Sequence, residues 1–121
     1  MSIIPHFELS TERHDERTHV IHVKGEIHVS TASEFAQRLD DAIAQDASQI
    51  VLDLTEVEFI DSTGLTVLLN GLRSITLRGG RLALAISNPT VLRLFEITRL
   101  DATFDIAPTT ADALRRVGAA G

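Results

Sequence analysis

The spacing of hydrophobic and polar residues changes period several times along the chain, and each change marks an element. Phe7 to Leu9 reads as a short first strand, and the polar run from Ser10 to Thr18 as a hairpin loop. Val20 to Lys24 alternates as a half-buried strand does, with Ile21 and Val23 on one face and Val20 on the other. Gly25 weakens the continuation and permits a bulge or a close approach, while Ile27 and Val29 keep some alternation. Ser30 or Thr31 then serves as a helix N-cap with Glu34 at the capping-box position. Ala32, Phe35, Ala36, Leu39 and Ile43 recur at helical spacing until the polar stretch Gln45 to Gln49.

Ile50 to Leu54 is a near-continuous apolar run of the parallel-sheet type. The acidic residues that follow, Glu56, Glu58 and Asp61, read as a solvated loop. A long amphipathic pattern begins near Ser62 and continues through Leu65, Leu68, Leu69, Leu72 and Ile75 to about Leu77. Gly79-Gly80 ends it as a left-handed C-cap. Arg81 to Ile86 is a further strand, with Leu82, Leu84 and Ile86 alternating against small alanines. Asn88-Pro89 starts another helix, cap then proline, with Leu92 and Phe95 inward. Ala102 to Ile106 reads as an edge strand, and Pro108-Thr109 opens a last helix through Ala113, Leu114 and Val117, with Thr109 and Asp112 as a capping pair.

Strands alternating with helices imply an α/β fold: a small, mixed, mostly parallel β-sheet covered by about four helices. The expectation is a single domain over residues 1–121. Ligands of such sheets gather at the carboxyl ends of the strands, and Ser62 lies just beyond the end of the Ile50–Leu54 strand.

Composition narrows the partners. A net charge of −6 with no basic patch argues against a nucleic-acid partner held through phosphates. The absence of cysteine removes disulfides and thiolate metal sites and fits a reducing compartment. Met1–His6 shows no basic region followed by a long apolar run, and no stretch has the length to insert in a membrane. The expectation is a cytoplasmic protein.

Candidate chemistry centres on Ser62. A nucleophilic serine needs a base in reach, and of the five histidines only His28 could approach this rim. No G-x-S-x-G elbow surrounds Ser62, and no glycine loop is built to cradle phosphate. His19 and His22 lie on a strand without nearby carboxylates in sequence, so they read as solvent-facing positions rather than metal ligands. Asp53, between Leu52 and Leu54, reads as structural, accepting backbone or hydroxyl bonds at the strand end. No catalytic residue, metal site, cofactor or small-molecule substrate is expected. Ser62 could itself cap the helix, accepting from Gly64 or Leu65, or Asp61 could be the cap with Ser62 in the first turn. Gly64 is an odd choice in a first helical turn unless a partner backbone or bulky group must approach closely.

Two segments, Gly25-Glu26-Ile27 through Ser30-Thr31-Ala32 and Asp53-Leu54 with Phe59-Ile60-Asp61-Ser62-Thr63-Gly64-Leu65, resemble the STAS family (sulfate transporter and anti-sigma-factor antagonist) in its stand-alone antagonist form. The order of elements agrees from about Phe7 to Val117. The resemblance implies a small binding protein that switches partners by phosphorylation, with Ser62 as phosphoacceptor and Thr63 second to it. An anti-sigma factor with serine-kinase activity would bind the free hydroxyl form, release its sigma factor, and phosphorylate the antagonist with ATP. A phosphatase would reset it, and ATP and Mg²⁺ would belong to the kinase. The expected partner-binding residues are Ile27, His28, Ser30, Asp61, Ser62, Thr63, Gly64 and Asn88. Many members carry aspartate where this chain has His28, and that aspartate lies near the phosphoacceptor and influences partner binding or phosphorylation. The alternative, from a different class, is a non-switching accessory subunit of a lipid-transport ATPase or a stress-sensing complex.

Overall fold

Odd and even positions of the central strands separate two apolar layers of unequal size. The computed structural model describes residues 7–45 and 47–118, so the reading of Met1–His6 lies outside the described residues. The elements are β1 (Phe7–Arg13), β2 (Thr18–Ile27), α1 (Ala32–Ala44), β3 (Gln49–Ile60), α2 (Ser62–Leu77), β4 (Arg81–Ala85), α3 (Pro89–Ile97), β5 (Asp105–Ala107) and α4 (Thr110–Arg116), with a short 3₁₀ turn at Leu100–Ala102. The strands lie in the order β1-β2-β3-β4-β5. The β1–β2 pair is antiparallel and the remaining pairs are parallel, giving the mixed sheet that the alternating pattern implies.

The larger layer joins Ile21, Val23, Ile50, Leu52, Leu54, Leu82 and Leu84 of the sheet to Phe35 and Leu39 of α1, Leu68 and Ile75 of α2, and Val91 and Phe95 of α3. The smaller layer sets Val20, Val51, Ala83, Ala85 and Ala107 against Ala113 and Val117. Alanines on β4 and β5 leave room for α4 to lie close on that face, which is why Leu82 and Leu84 alternate with small residues.

β2 spans Thr18–Ile27 rather than Val20–Lys24 and β4 ends at Ala85 rather than Ile86, and three further differences from the sequence reading have physical causes. β1 runs to Arg13 rather than Leu9, leaving a tight turn in which His14 N–H donates to Thr18 O at 2.9 Å and Arg17 N–H to Asp15 Oδ1 at 2.8 Å. An edge strand satisfies one side of its backbone whatever its side chains are, so the polar Ser10–Arg13 segment carries no apolar signal. The last strand is Asp105–Ala107 rather than Ala102–Ile106, because Phe104 turns into the large layer and meets Phe95 edge to face at 5.9 Å.

The third difference bears on the site. β3 extends to Ile60, so Glu56 and Glu58 are strand residues and not members of an acidic loop. The β2–β3 ladder shifts register twice, between His22 and Lys24 and between Gly25 and Glu26. Each shift reverses which parity faces inward, so the buried positions become Leu54, Val57 and Ile60. A spacing of three does not read as a strand. Because β4 stops opposite Asp53, the far end of β3 pairs with β2 alone and overhangs the sheet.

Candidate functional site

The overhang carries the ends of β2 and β3 out together. Ile27 pairs with Ile60, so the loop His28–Thr31 and the first turn of α2 emerge side by side. Asp61 is the N-cap of α2: its Oδ1 accepts from Gly64 N–H at 3.0 Å, and its carbonyl accepts from Leu65 N–H at 3.0 Å. Of the two caps the sequence allows, the structure has Asp61, which places Ser62 at the first helical position. The Ser62 side chain is exposed, and its hydroxyl has no hydrogen-bond partner among the described residues. The N–H groups of Ser62 and Thr63 likewise have no partner among the described residues, so the positive end of α2 stays open beside that hydroxyl.

The β2–α1 loop is held by its own bonds. Ser30 N–H donates to His28 Nδ1 at 3.1 Å, and His28 N–H donates to Thr31 Oγ1 at 3.0 Å. Thr31 Oγ1 in turn donates to Glu26 O at 2.8 Å. Thr31 is the N-cap of α1, but with its hydroxyl so engaged it makes no capping bond, and the expected capping box with Glu34 does not form. His28 keeps Nε2 at 3.9 Å from Glu26 Oε1. Val29, at the crest of this loop, is 74% exposed.

The residues expected to bind a partner differ in exposure. Ile27 is wholly buried, and Gly64 is buried against it. A Cβ at Gly64 would lie 2.8 Å from the Cγ2 atoms of Ile27 and Ile60 and 3.1 Å from Ile27 O. An internal close approach, between α2 and the end of β2, is thus enough to explain this glycine. Asn88 is half-buried and caps α3, its Oδ1 accepting from Thr90 N–H at 2.9 Å and its Nδ2 donating to Val57 O at 3.4 Å. Thr63 and His28 are half-buried, and Ser30 and Ser62 face solvent.

Two features escaped the sequence reading. Beside the overhang, Glu58, Phe59, Ile60, Pro89, Val91, Arg93, Leu94 and Ile97 line an open apolar groove of about 480 Å³. Phe59 is 48% exposed and Ile97 67%. Exposed apolar residues that share one concavity mark a contact surface more strongly than the same residues scattered. The second feature is a polar pair. His22 Nδ1 lies 2.7 Å from Asp53 Oδ2, and Asp53 Oδ1 accepts from the Thr55 hydroxyl at 2.6 Å and from Thr55 N–H at 3.1 Å. Burial raises the Asp53 pKa, but the bonds from Thr55 and His22 outweigh it and hold the carboxyl below its usual value. Asp53 is thus structural as expected, and His22 is its partner rather than a free polar position. His19 is a plain correction: it is buried, only 6% exposed, and its Nδ1 has no partner among the described residues. Burial, with the Arg13 charge adding to it, lowers its pKa.

Comparison with known proteins agrees with this geometry. The STAS domain model matches residues 10–113. An anti-sigma-B factor antagonist of Listeria monocytogenes is 36% identical over 86 residues, covering 71% of this chain and 75% of its own length. The crystal structure of an anti-sigma factor antagonist from Mycobacterium paratuberculosis superposes with a TM-score of 0.84 at 31% identity, over 93% of this chain and 94% of that one. The Bacillus cell fate determinant SpoIIAA in its phosphorylated form superposes with a TM-score of 0.70 at 26% identity, over 91% of this chain and 99% of that one. With its sheet order, its exposed serine at the tip of α2 and these matches together, the chain belongs to the STAS domain family.

Proposed function

We propose that this protein is an anti-sigma-factor antagonist that docks through the surface around Ser62 onto an anti-sigma factor with serine-kinase activity, and is released when Ser62 is phosphorylated. The observation that carries the reading is the division of labour at the tip of α2. Asp61 does the capping, which leaves the neighbouring hydroxyl exposed and unengaged at a helix N-terminus. The names of the relatives support it: one is an anti-sigma-B factor antagonist, and another is a determinant whose phosphorylated form has been solved.

Ser62 Oγ would attack the γ-phosphorus of ATP held by the kinase. The bond from that phosphorus to the β–γ bridging oxygen breaks, ADP leaves, and a base of the kinase takes the hydroxyl proton. The antagonist's own contribution is presentation, and the phosphate, Mg²⁺ and base come from the partner. A phosphorylated Ser62 carries about −1.5 to −2 charge and a tight hydration shell. Returned to a kinase site that again holds ATP, it meets the charge of the bound triphosphate, and it brings water to a contact that includes the exposed, apolar Val29 on the neighbouring loop. Both effects favour release without any change of fold, and a phosphatase restores the docking form. Such a cycle belongs in the cytoplasm, where ATP, kinase and sigma factor meet. No described helix is long and apolar enough to cross a membrane.

The test mixes the purified protein with the serine-kinase anti-sigma factor encoded in the same genome, ATP and Mg²⁺. The parent should gain one phosphoryl group at residue 62 by intact mass and peptide mapping. Ser62→Ala should bind as the parent does and gain none. Ser62→Asp should bind at least tenfold more weakly, a difference of about 1.4 kcal/mol. If both variants bind like the parent, the switch is not at this position. Phosphate on Thr63 alone would move the switch by one residue. Co-purification with membrane ATPase subunits, with no phosphate gained, would favour the constitutive accessory role.

A further inference from the structure

Asp61 makes hydrogen bonds that reach two different elements. Its N–H donates to Ile27 O at 3.0 Å, and its Oδ1 accepts from Gly64 N–H at 3.0 Å. Its other oxygen, Oδ2, accepts from Val29 N–H at 3.3 Å. One carboxylate therefore caps α2 with one atom and grips the neighbouring loop with the other. Capping needs only the first of these acceptors, and asparagine caps a helix about as well as aspartate. The second acceptor is surplus to the helix. Among the described residues, the Val29 bond is also the only hydrogen bond from residues 28–31 to α2 or its cap; the rest of that loop's bonds turn back on itself, on β2 or on the first turn of α1.

We propose that Asp61 is a positioning residue: its second carboxylate oxygen holds the His28–Thr31 loop against the tip of α2, so that Val29 and Ser62 form one surface before any partner arrives. A loop ordered in advance does not lose its freedom on docking, so the device acts on affinity. It does not act on phosphate transfer once the partner is bound. This consequence for docking rests on the reading of Ser62 given above, whereas the latch itself does not.

The test therefore has two arms on the full chain. In the first, amide hydrogen exchange at Val29 and Gly64 is followed without any partner for the parent, Asp61→Asn and Asp61→Ala. A carboxylate has two accepting oxygens and a carboxamide one. Asp61→Asn should thus keep protection at Gly64, where the carboxamide oxygen still caps, and lose it at Val29 by about tenfold, with a thermal midpoint near the parent's. Asp61→Ala should lose protection at both. Full protection at Val29 in the Asp61→Asn protein overturns the proposal, whatever the fate of Ser62. In the second arm, the serine-kinase anti-sigma factor with ATP and Mg²⁺ phosphorylates each protein. Asp61→Asn should raise KM about tenfold and leave kcat unchanged. A lower kcat at unchanged KM overturns the positioning role. If the parent itself is never phosphorylated, the docking reading fails and the exchange arm alone decides the latch.

Discussion

His19 and Asp53 are two of the residues whose protonation the fold has altered, and both work in the same direction. The His19 pKa is depressed below the usual 6.5, first by burial and then by the Arg13 charge. The folded state therefore binds fewer protons than the unfolded chain once the pH drops below 6.5. Its contribution to stability is complete above that value and is lost as pH falls toward the folded pKa. Asp53 is depressed below 3.8, so its contribution is complete above 3.8 and is lost only in stronger acid. The urea midpoint of the parent should accordingly fall between pH 7 and pH 5, with His19 as a source of the fall. His19→Leu also removes a buried, unpartnered ring nitrogen, so it should raise the midpoint at pH 5 and shrink the fall. An equal fall in parent and variant would show that His19 does not titrate there. Sequence could not have found either environment. His19 and His22 differ in parity on one strand with both faces covered, and only the packing of the layers decides that His19 is buried and His22 half open. The Asp53–His22 bond needs the register that pairs two strands with α1 between them.

At the scale of the element, α2 shows how adjacent residues with the same letter serve different ends. The helix closes with Gly79 N–H donating to Thr76 O at 2.9 Å and Gly80 N–H donating to Ile75 O at 2.8 Å, the two bonds of a Schellman ending. Gly79 has φ of +77° and nothing within 4 Å of a built Cβ, so its requirement is backbone conformation alone. Gly80 is the reverse case: a Cβ there would stand 2.6 Å from Ser48 O, against backbone that cannot swing away. Gly79→Asn should therefore be nearly neutral, since asparagine tolerates the left-handed region, while Gly80→Ala should cost about 2 kcal/mol of stability through overpacking. Equilibrium urea unfolding of both variants checks the contrast, and equal losses would contradict it. The Gly-Gly stop and the span of α2 were legible because caps are local chemistry. Its inner face was less so: Gly64, Leu68, Gly71 and Ile75 are buried, whereas Leu69 of the expected stripe is 38% exposed. Glycines leave no hydrophobic mark in a sequence, yet Gly71 lies inward because Leu39 of α1 occupies the space its side chain would need.

The whole molecule decides what surrounds Ser62. The overhang of β3 past β4, with α3 laid beside it, creates the groove, whose lining reaches Ile60, the last residue of β3. Under the proposed docking, the concavity would take a protruding apolar side chain of the anti-sigma factor and add contact area independent of Ser62. Ile97→Asp places a charge in that groove at a position already 67% exposed. Its effect on folding should stay within about 0.5 kcal/mol, while affinity for the anti-sigma factor should fall roughly tenfold. Calorimetric titration beside urea unfolding separates the two. Unchanged affinity would remove the groove from the docking surface and leave Ser62 in it.

The chain's own letters settle the alternation of strands and helices, the parity of the apolar positions on β2 and β4, the proline and asparagine that open α3, and the hydroxyl after Asp61. Each is a property of neighbours within a turn or two, where backbone propensity and capping act. Tertiary structure alone decides the rest. Two register shifts carry β3 out to Ile60, a carboxylate caps one element while gripping another, Gly64 answers an internal contact, and β3 and α3 enclose an apolar groove. These depend on which distant segments meet, and that is fixed by how the layers pack rather than by the residues on either side.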